Sequence, residues 1–215
     1  MIHAVTNDEV LLRPDFLIRA RGVMKALGNR GAIHIRARLL PDPRLFSTVL
    51  DLLLMHRDTG CWCVISDRVD VALGAGAQAV QLTSRSIAVP DVKKIAPALL
   101  VGASVHSATE ATAAETDGAD WCVAGNVFET ESHPGTARRE STFIGGIAGS
   151  VAIPVIAIGG IKPEHVRPLA EAGAHGVAAI RGIWEAKNSE AAASYYLSEY
   201  DRDGNTPSNG NPPHR

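Results

Sequence analysis

Cysteine is scarce, at three in 215 residues. Cys61, Cys63 and Cys122 are odd in number and lack metal-ligand spacing, which argues against a disulfide framework and against zinc. Cys61 and Cys63 alternate within an apolar stretch, which predicts inert packing, since free cysteine behaves as a small buried hydrophobe. No apolar run approaches the roughly 20 residues that cross a bilayer. Met1–Arg13 has no basic region followed by an apolar core, so no secretory leader is expected and the expected location is cytoplasmic. Charge of one sign is also lacking. With 21 Lys and Arg against 23 Asp and Glu, and no basic stripe, neither a nucleic-acid footprint nor a polybasic membrane patch is expected.

What is present is an ordinary globular composition, 46% hydrophobic and 20% charged, with length for one domain and a substantial core. Eight short apolar runs read as strands: Ile2–Val5, Ala32–Arg36, Trp62–Ser66, Ala79–Leu82, Leu100–Ser104, Trp121–Ala124, Val155–Ile158 and Gly176–Ile180. Their continuous apolar character suits strands buried on both faces. Helical segments alternate with them, about Asp15–Leu27, Asp42–His56, Arg68–Leu73, Val89–Leu99, Thr109–Thr116, Thr142–Gly149, Pro163–Ala172 and Ser189–Tyr196. Strict alternation selects a parallel sheet, and eight units in one chain of this length favour a closed (β/α)8 TIM barrel of the α/β class.

A weak repeat supports that count. Gly76-Ala77, Gly118-Ala119 and Gly173-Ala174 each stand a few residues before a strand, as a left-handed glycine ending a helix would. The alternative is a doubly wound open sheet, but Thr6-Asn7-Asp8 follows the first strand where a dinucleotide site needs a glycine-rich turn. The barrel domain is expected over 1–200. The polar stretch Asp201–Arg215, rich in Pro, Gly and Asn, is expected to be disordered.

Ligands of such barrels collect where strands end and helices begin. Those positions hold His34 and Arg36 after the second strand, Asp67 after the third, and Thr83 and Ser86 after the fourth. Ser104 and His106 follow the fifth, and Asn126 with the loop Phe128–Gly135 follows the sixth. Gly159, Gly160, Arg181 and Gly182 follow the last two. Paired glycine-bearing turns there suit phosphate, because their N–H groups can approach an anion that the helix dipole also favours. An inward Arg36 suits carboxylate or phosphate capture. Asp67 reads either as a helix N-cap or as a single Mg²⁺ carboxylate. His34, His106 and His133 can titrate near neutrality.

Several segments carry a resemblance: Ile33-His34-Ile35-Arg36, Ser66-Asp67-Arg68-Val69-Asp70-Val71-Ala72-Leu73, Val80-Gln81-Leu82 and Gly102-Ala103-Ser104-Val105-His106-Ser107. Gly118-Ala119-Asp120-Trp121, Gly125-Asn126-Val127-Phe128-Glu129-Thr130 and Pro154-Val155-Ile156-Ala157-Ile158-Gly159-Gly160-Ile161 continue it. In this order the chain resembles the thiamine phosphate synthase superfamily from about Ile2 to Tyr196, and most closely its TenI branch, the thiazole tautomerases. The resemblance implies a barrel, a role in thiamine biosynthesis and a thiazole phosphate as ligand.

Departures from the family select among its activities. A synthase joins a pyrimidine diphosphate to the thiazole phosphate and holds Mg²⁺ with two aspartates. The first matches Asp67, the second falls at Ser86, and the lysine of the synthase loop falls at His133. A tautomerase shifts a proton to aromatise a thiazole carboxylate phosphate and requires no cofactor. Its acid/base histidine, however, falls at Asn126, and an amide cannot serve as a base near pH 7. The expectation is a tautomerase in which His133 or His106 carries the proton, His133 being favoured because related synthases contact ligand through its loop. Gly159, Gly160, Arg181, Gly182, Arg36, His34, Ser104, Asn126, Thr130 and Ser132 are the expected ligand contacts, and Asp67 the metal candidate. The alternatives are a synthase that uses Mg²⁺ and a non-catalytic binding relative. The expected partner is the phosphorylated thiazole, with no nucleic acid and no membrane, and a homo-oligomer is left open.

Overall fold

The computed structural model describes residues 1–128 and 140–202. Eight parallel strands close into one barrel in chain order. They are β1 (Ile2–Val5), β2 (Gly31–Ile35), β3 (Trp62–Ser66), β4 (Ala79–Leu82), β5 (Leu100–Val105), β6 (Trp121–Ala124), β7 (Val155–Ile158) and β8 (Gly176–Ala179). Closure is made by β1, which pairs with β2 through Ile2 and Gly31 and with β8 through Ile2 and Val177. This is the expected (β/α)8 barrel.

The surrounding helices are α1 (Asp8–Leu12), α2 (Phe16–Leu27), α3 (Asp42–Thr59), α4 (Val69–Ala75) and α5 (Val89–Ile95). They continue with α6 (Ala108–Thr116), α7 (Glu140–Ala148), α8 (Pro163–Glu171), α9 (Arg181–Trp184) and α10 (Ser189–Asp201). Gly76, Gly118 and Gly173 carry positive φ of 74°, 91° and 99° where helices turn back toward β4, β6 and β8, as the repeat predicts. Two short helices were not expected. Asn7 caps α1 by accepting the Val10 N–H at 2.9 Å, and α9 occupies the turn after β8. The last helix runs to Asp201, which pairs with Arg30, so order extends past the expected boundary at 200. The rest of the polar tail, from 203, lies outside the described residues.

Strand alternation divides the core in two. Side chains on the outer face of the sheet, among them Ile33, Ile65, Val80, Val101, Cys63 and Cys122, pack beneath the helices. The three cysteines are free and buried, and burial raises the Cys63 and Cys122 thiols to about 12. They are packing residues, as expected. The lumen holds a second apolar cluster of Val5, Ala32, Val64, Ala79, Trp121, Val123, Ile156 and Ala178.

Polar groups share that lumen. His3 Nδ1 and His34 Nε2 lie 2.7 Å apart, and both side chains are buried. Burial lowers both imidazoles, His34 to about 3 and His3 well below its usual value, with the His34 charge adding to the effect on His3. Both are therefore neutral in the fold, whereas the unfolded chain takes up protons below about pH 6.5. The unfolded state binds more protons in that window, so stability is complete above pH 6.5 and declines as pH falls toward 3. Each imidazole should contribute a slope of up to about 1.4 kcal/mol per pH unit. Urea denaturation between pH 4.5 and 7.5 should show this slope reduced in the His3→Leu/His34→Leu double variant. An unchanged slope would remove the pair as its source.

Candidate functional site

At the rim after β7, Gly159 and Gly160 have φ of 110° and 63°, in the region that favours glycine. The β6–β7 pairing continues beyond the strands, with Val127 N–H donating to Ile158 O and Phe128 N–H to Gly159 O, both at 3.0 Å. This continuation presses Asn126 against Gly159: a Cβ on Gly159 would stand 2.8 Å from the Asn126 Cα. The Phe128 ring then stacks on His165 in the first turn of α8, with centroids 4.0 Å apart. The turn after β8 becomes α9, led by Arg181 and Gly182. Within α9 the Ile183 and Trp184 N–H groups both donate to Ile180 O, at 3.2 and 3.0 Å. Gly182 has a second requirement that spacing did not reveal. The Tyr196 hydroxyl, which donates to Ile161 O at 2.8 Å, lies 2.1 Å from where a Gly182 Cβ would be.

A second cluster lies at the ends of β2, β3 and β4. Asp67 adopts φ 62° and its N–H donates to Gln81 O at 2.9 Å. Asp67 is not the N-cap of α4: that position is Arg68, and no side chain caps it. Instead the Asp67 carboxylate crosses to the β4 loop, where its Oδ1 accepts from Thr83 N–H at 3.1 Å, from Thr83 Oγ1 at 2.8 Å and from the Ser86 hydroxyl. The cap reading is thus overturned, because the positive φ turns the carboxylate away from its own helix. Arg36 is half-buried nearby, its pKa lowered first by burial and then by Arg38, with Asp67 raising it and Arg85 lowering it. Asp8 of α1 straps the loop that follows, accepting the N–H groups of Arg38, Leu39 and Leu40 at 3.0, 2.8 and 3.2 Å.

Toward a divalent cation the cluster offers one carboxylate, with the Ser86 hydroxyl beside it. Mg²⁺ is held by one or two carboxylates together with ligand phosphates and water. Here one oxygen of the one carboxylate is taken by three protein donors, and no group of three or more His, Cys, Asp or Glu among the described residues could hold a metal.

Between these clusters stand Ser104 and His106. Ser104 Oγ accepts from Gln81 Nε2 at 3.1 Å. His106 is exposed, and its Nδ1 lies 2.6 Å from Gly125 O. A carbonyl only accepts, so Nδ1 carries a proton. His34 is nearly sealed in the lumen, at 2% exposure, with its Nε2 turned to His3 rather than to the rim. His133, Thr130 and Ser132 lie outside the described residues.

The structure therefore brings Asn126 beside Gly159, and His106 beside the carbonyl that precedes Asn126. Sequence reasoning missed the Asp8 strap, the His3 partner of His34 and the Gln81–Ser104 contact. The Asn7-Asp8-Glu9 run was a legible helix-start signal, an N-cap residue followed by acids. The other two depend on which lumen side chains meet.

Such a rim, fed by all eight strand ends of a closed parallel barrel, places the chain in the class of (β/α)8-barrel proteins whose site is built from βα loops. A family model described as thiamine monophosphate synthase matches residues 2–183, and the chain belongs to that family. It is 35% identical over 171 residues to a thiamine-phosphate synthase of Pyrococcus furiosus, covering 77% of this chain and 80% of that one. A thiamine-phosphate synthase of Shouchella clausii is 35% identical over 173 residues, covering 80% and 83%. Among solved structures, thiamine phosphate pyrophosphorylase from Pyrococcus furiosus superposes with a TM-score of 0.82 at 30% identity, covering 94% and 95%. A 3-hexulose-6-phosphate synthase shares the fold, with a TM-score of 0.66 at 20% identity. No helix among the described residues is long and apolar enough to cross a membrane.

The parent protein should show no micromolar Mg²⁺ binding by titration calorimetry in the absence of ligand. Ser86→Asp, which replaces a hydroxyl donor by a second carboxylate beside Asp67, should create measurable binding. Tight Mg²⁺ binding by the parent would contradict the reading that one carboxylate is too few for a tight site.

Proposed function

We propose that the chain is a TenI-like thiazole-phosphate protein of thiamine biosynthesis, acting as a thiazole tautomerase. The observation that carries this reading is the commitment of Asp67 to Thr83 and Ser86. Departure of pyrophosphate needs concentrated positive charge to stabilise the leaving group. A rim that offers one carboxylate, hydrogen-bonded through one oxygen to hydroxyls, supports a reaction without that demand, and a tautomerisation needs only a placed ligand and a proton carrier.

In this reading the phosphate sits against Gly159, Gly160, Arg181 and Gly182, where backbone donors and the start of a helix favour an anion. Asn126, held against Gly159, contacts the ring or the phosphate as a neutral hydrogen-bonding group. The proton is carried by a histidine. His106 is supported by its place, since the Gly125 carbonyl that precedes Asn126 fixes a proton on Nδ1 and so orients the ring at the rim. His133 remains the other candidate on the strength of the family loop. Arg36, beside Arg38 and Arg85, supplies the positive end of the mouth for a carboxylate.

The synthase reading has its own support, the relatives bearing that name and the same arginine group, which would equally suit a diphosphate. Purified protein assayed with both substrate sets, with and without Mg²⁺, separates the two. Tautomerisation indifferent to Mg²⁺ is the expected result, and Mg²⁺-dependent thiamine phosphate formation would overturn it. His106→Ala or His133→Ala should slow tautomerisation by on the order of 100- to 10,000-fold, the usual cost of losing a general base. If neither does, or if activity first arises in Asn126→His, the chain binds its ligand without turning it over.

A further inference from the structure

Three residues of the lumen form a chain whose direction is set by chemistry. Trp121 Nε1 lies 2.9 Å from Gln81 Oε1, and Gln81 Nε2 lies 3.1 Å from Ser104 Oγ. An indole nitrogen can only donate, so the Gln81 atom facing it must be the carbonyl oxygen. The amide orientation, which an isolated glutamine leaves undetermined, is thereby settled, and the NH₂ must face Ser104. Ser104 then accepts from Gln81, and its own O–H is left to donate elsewhere.

The surroundings are built for this arrangement. Gln81 and Trp121 are buried, at 5% and 6% exposure, so an alternative pairing with solvent is closed to them. Gly102 makes the room. A Cβ there would stand 2.1 Å from Trp121 Cε2, 2.3 Å from its Nε1 and 2.4 Å from Gln81 Oε1. Gly102 and Ser104 alternate with Val101, Ala103 and Val105, which pack on the outer face, so both point into the lumen. Ser104, partly exposed one step nearer the rim, is where the chain reaches the mouth.

We propose that Trp121 and Gln81 are positioning residues that fix the Ser104 hydroxyl as a hydrogen-bond donor to the ligand, and that the acceptor it meets is the ligand's carboxylate. The inference rests on the thiazole-phosphate reading, in which β7 and β8 take the phosphate and leave the other anionic group for the opposite side of the mouth, between Arg36 after β2 and Ser104 on β5. Replacing Trp121 by Phe removes no atom that touches ligand. It frees Gln81 to turn over, present its oxygen to Ser104 and draw the hydroxyl proton inward.

Titration calorimetry with the thiazole carboxylate phosphate and with the thiazole phosphate lacking the carboxylate tests this. Trp121→Phe, Gln81→Met and Ser104→Ala should each weaken the carboxylated ligand by on the order of 10-fold, the worth of one hydrogen bond to a charged group. The ligand without the carboxylate should be affected far less. In the Ser104→Ala background, Trp121→Phe and Gln81→Met should cost nothing further, a coupling that general loosening of the barrel would not produce. Full additional losses in the double variants, or equal losses for both ligands, would overturn the proposal. If the parent binds neither thiazole, the thiazole-phosphate reading fails on that measurement alone. Hydrogen exchange of the ligand-free protein then judges the relay by itself. Slow exchange of the Trp121 indole and Gln81 carboxamide protons, with the carboxamide accelerated in Ser104→Ala, sustains it, and fast exchange in the parent overturns it.

Discussion

Pairing of β1 with both β2 and β8 turns a parallel sheet into a structure without edges, and every other feature of this protein answers to that closure. A parallel strand with an open edge carries a row of unsatisfied amide and carbonyl groups. Closing the barrel satisfies them, and it also creates a narrow lumen that side chains must fill. The filling is mostly small and branched, with Val5, Ala32, Val64, Ala79, Val123, Ile156 and Ala178 around Trp121.

The polar side chains admitted to that lumen must satisfy one another. His3 and His34 share one hydrogen bond, at the cost of remaining neutral. His3 Nε2 is left with no partner among the described residues. Leaving a buried polar atom unpaired costs about 1–3 kcal/mol. Trp121, Gln81 and Ser104 are arranged more completely, each donor meeting an acceptor up to the rim. The lumen is therefore more than filler: its hydrogen bonds determine which way the groups at the mouth can point.

At the rim the same closure sets what meets what. The β6–β7 ladder carries on past the strands, so Asn126 is pressed on Gly159 by backbone pairing, with no need of a side-chain contact. Asp67 shows the reverse case, a local backbone conformation with φ 62° that sends a carboxylate across to Thr83 and Ser86 in the neighbouring loop. There the Asp67 Oδ1 meets hydroxyl donors from a loop 16 to 19 residues further along the chain.

The alternation of apolar runs with helical segments was enough to determine eight strands, their parallel pairing and the closed barrel, because period and connection length are local properties of the chain. The left-handed glycines at 76, 118 and 173 were legible for the same reason, as was the clustering of glycines after β7 and β8. Asp67 as a cap or a metal ligand, and His34 as a rim residue, were read from position along a strand, which says where a side chain starts and not which neighbour it meets. Only the tertiary structure decided that Asp67 belongs to Thr83 and Ser86, that His34 turns down to His3, and that Tyr196 reserves the space at Gly182. The physical reason is that these partners lie 16 and 19, 31, and 14 residues apart, on elements whose register is fixed only when the barrel closes.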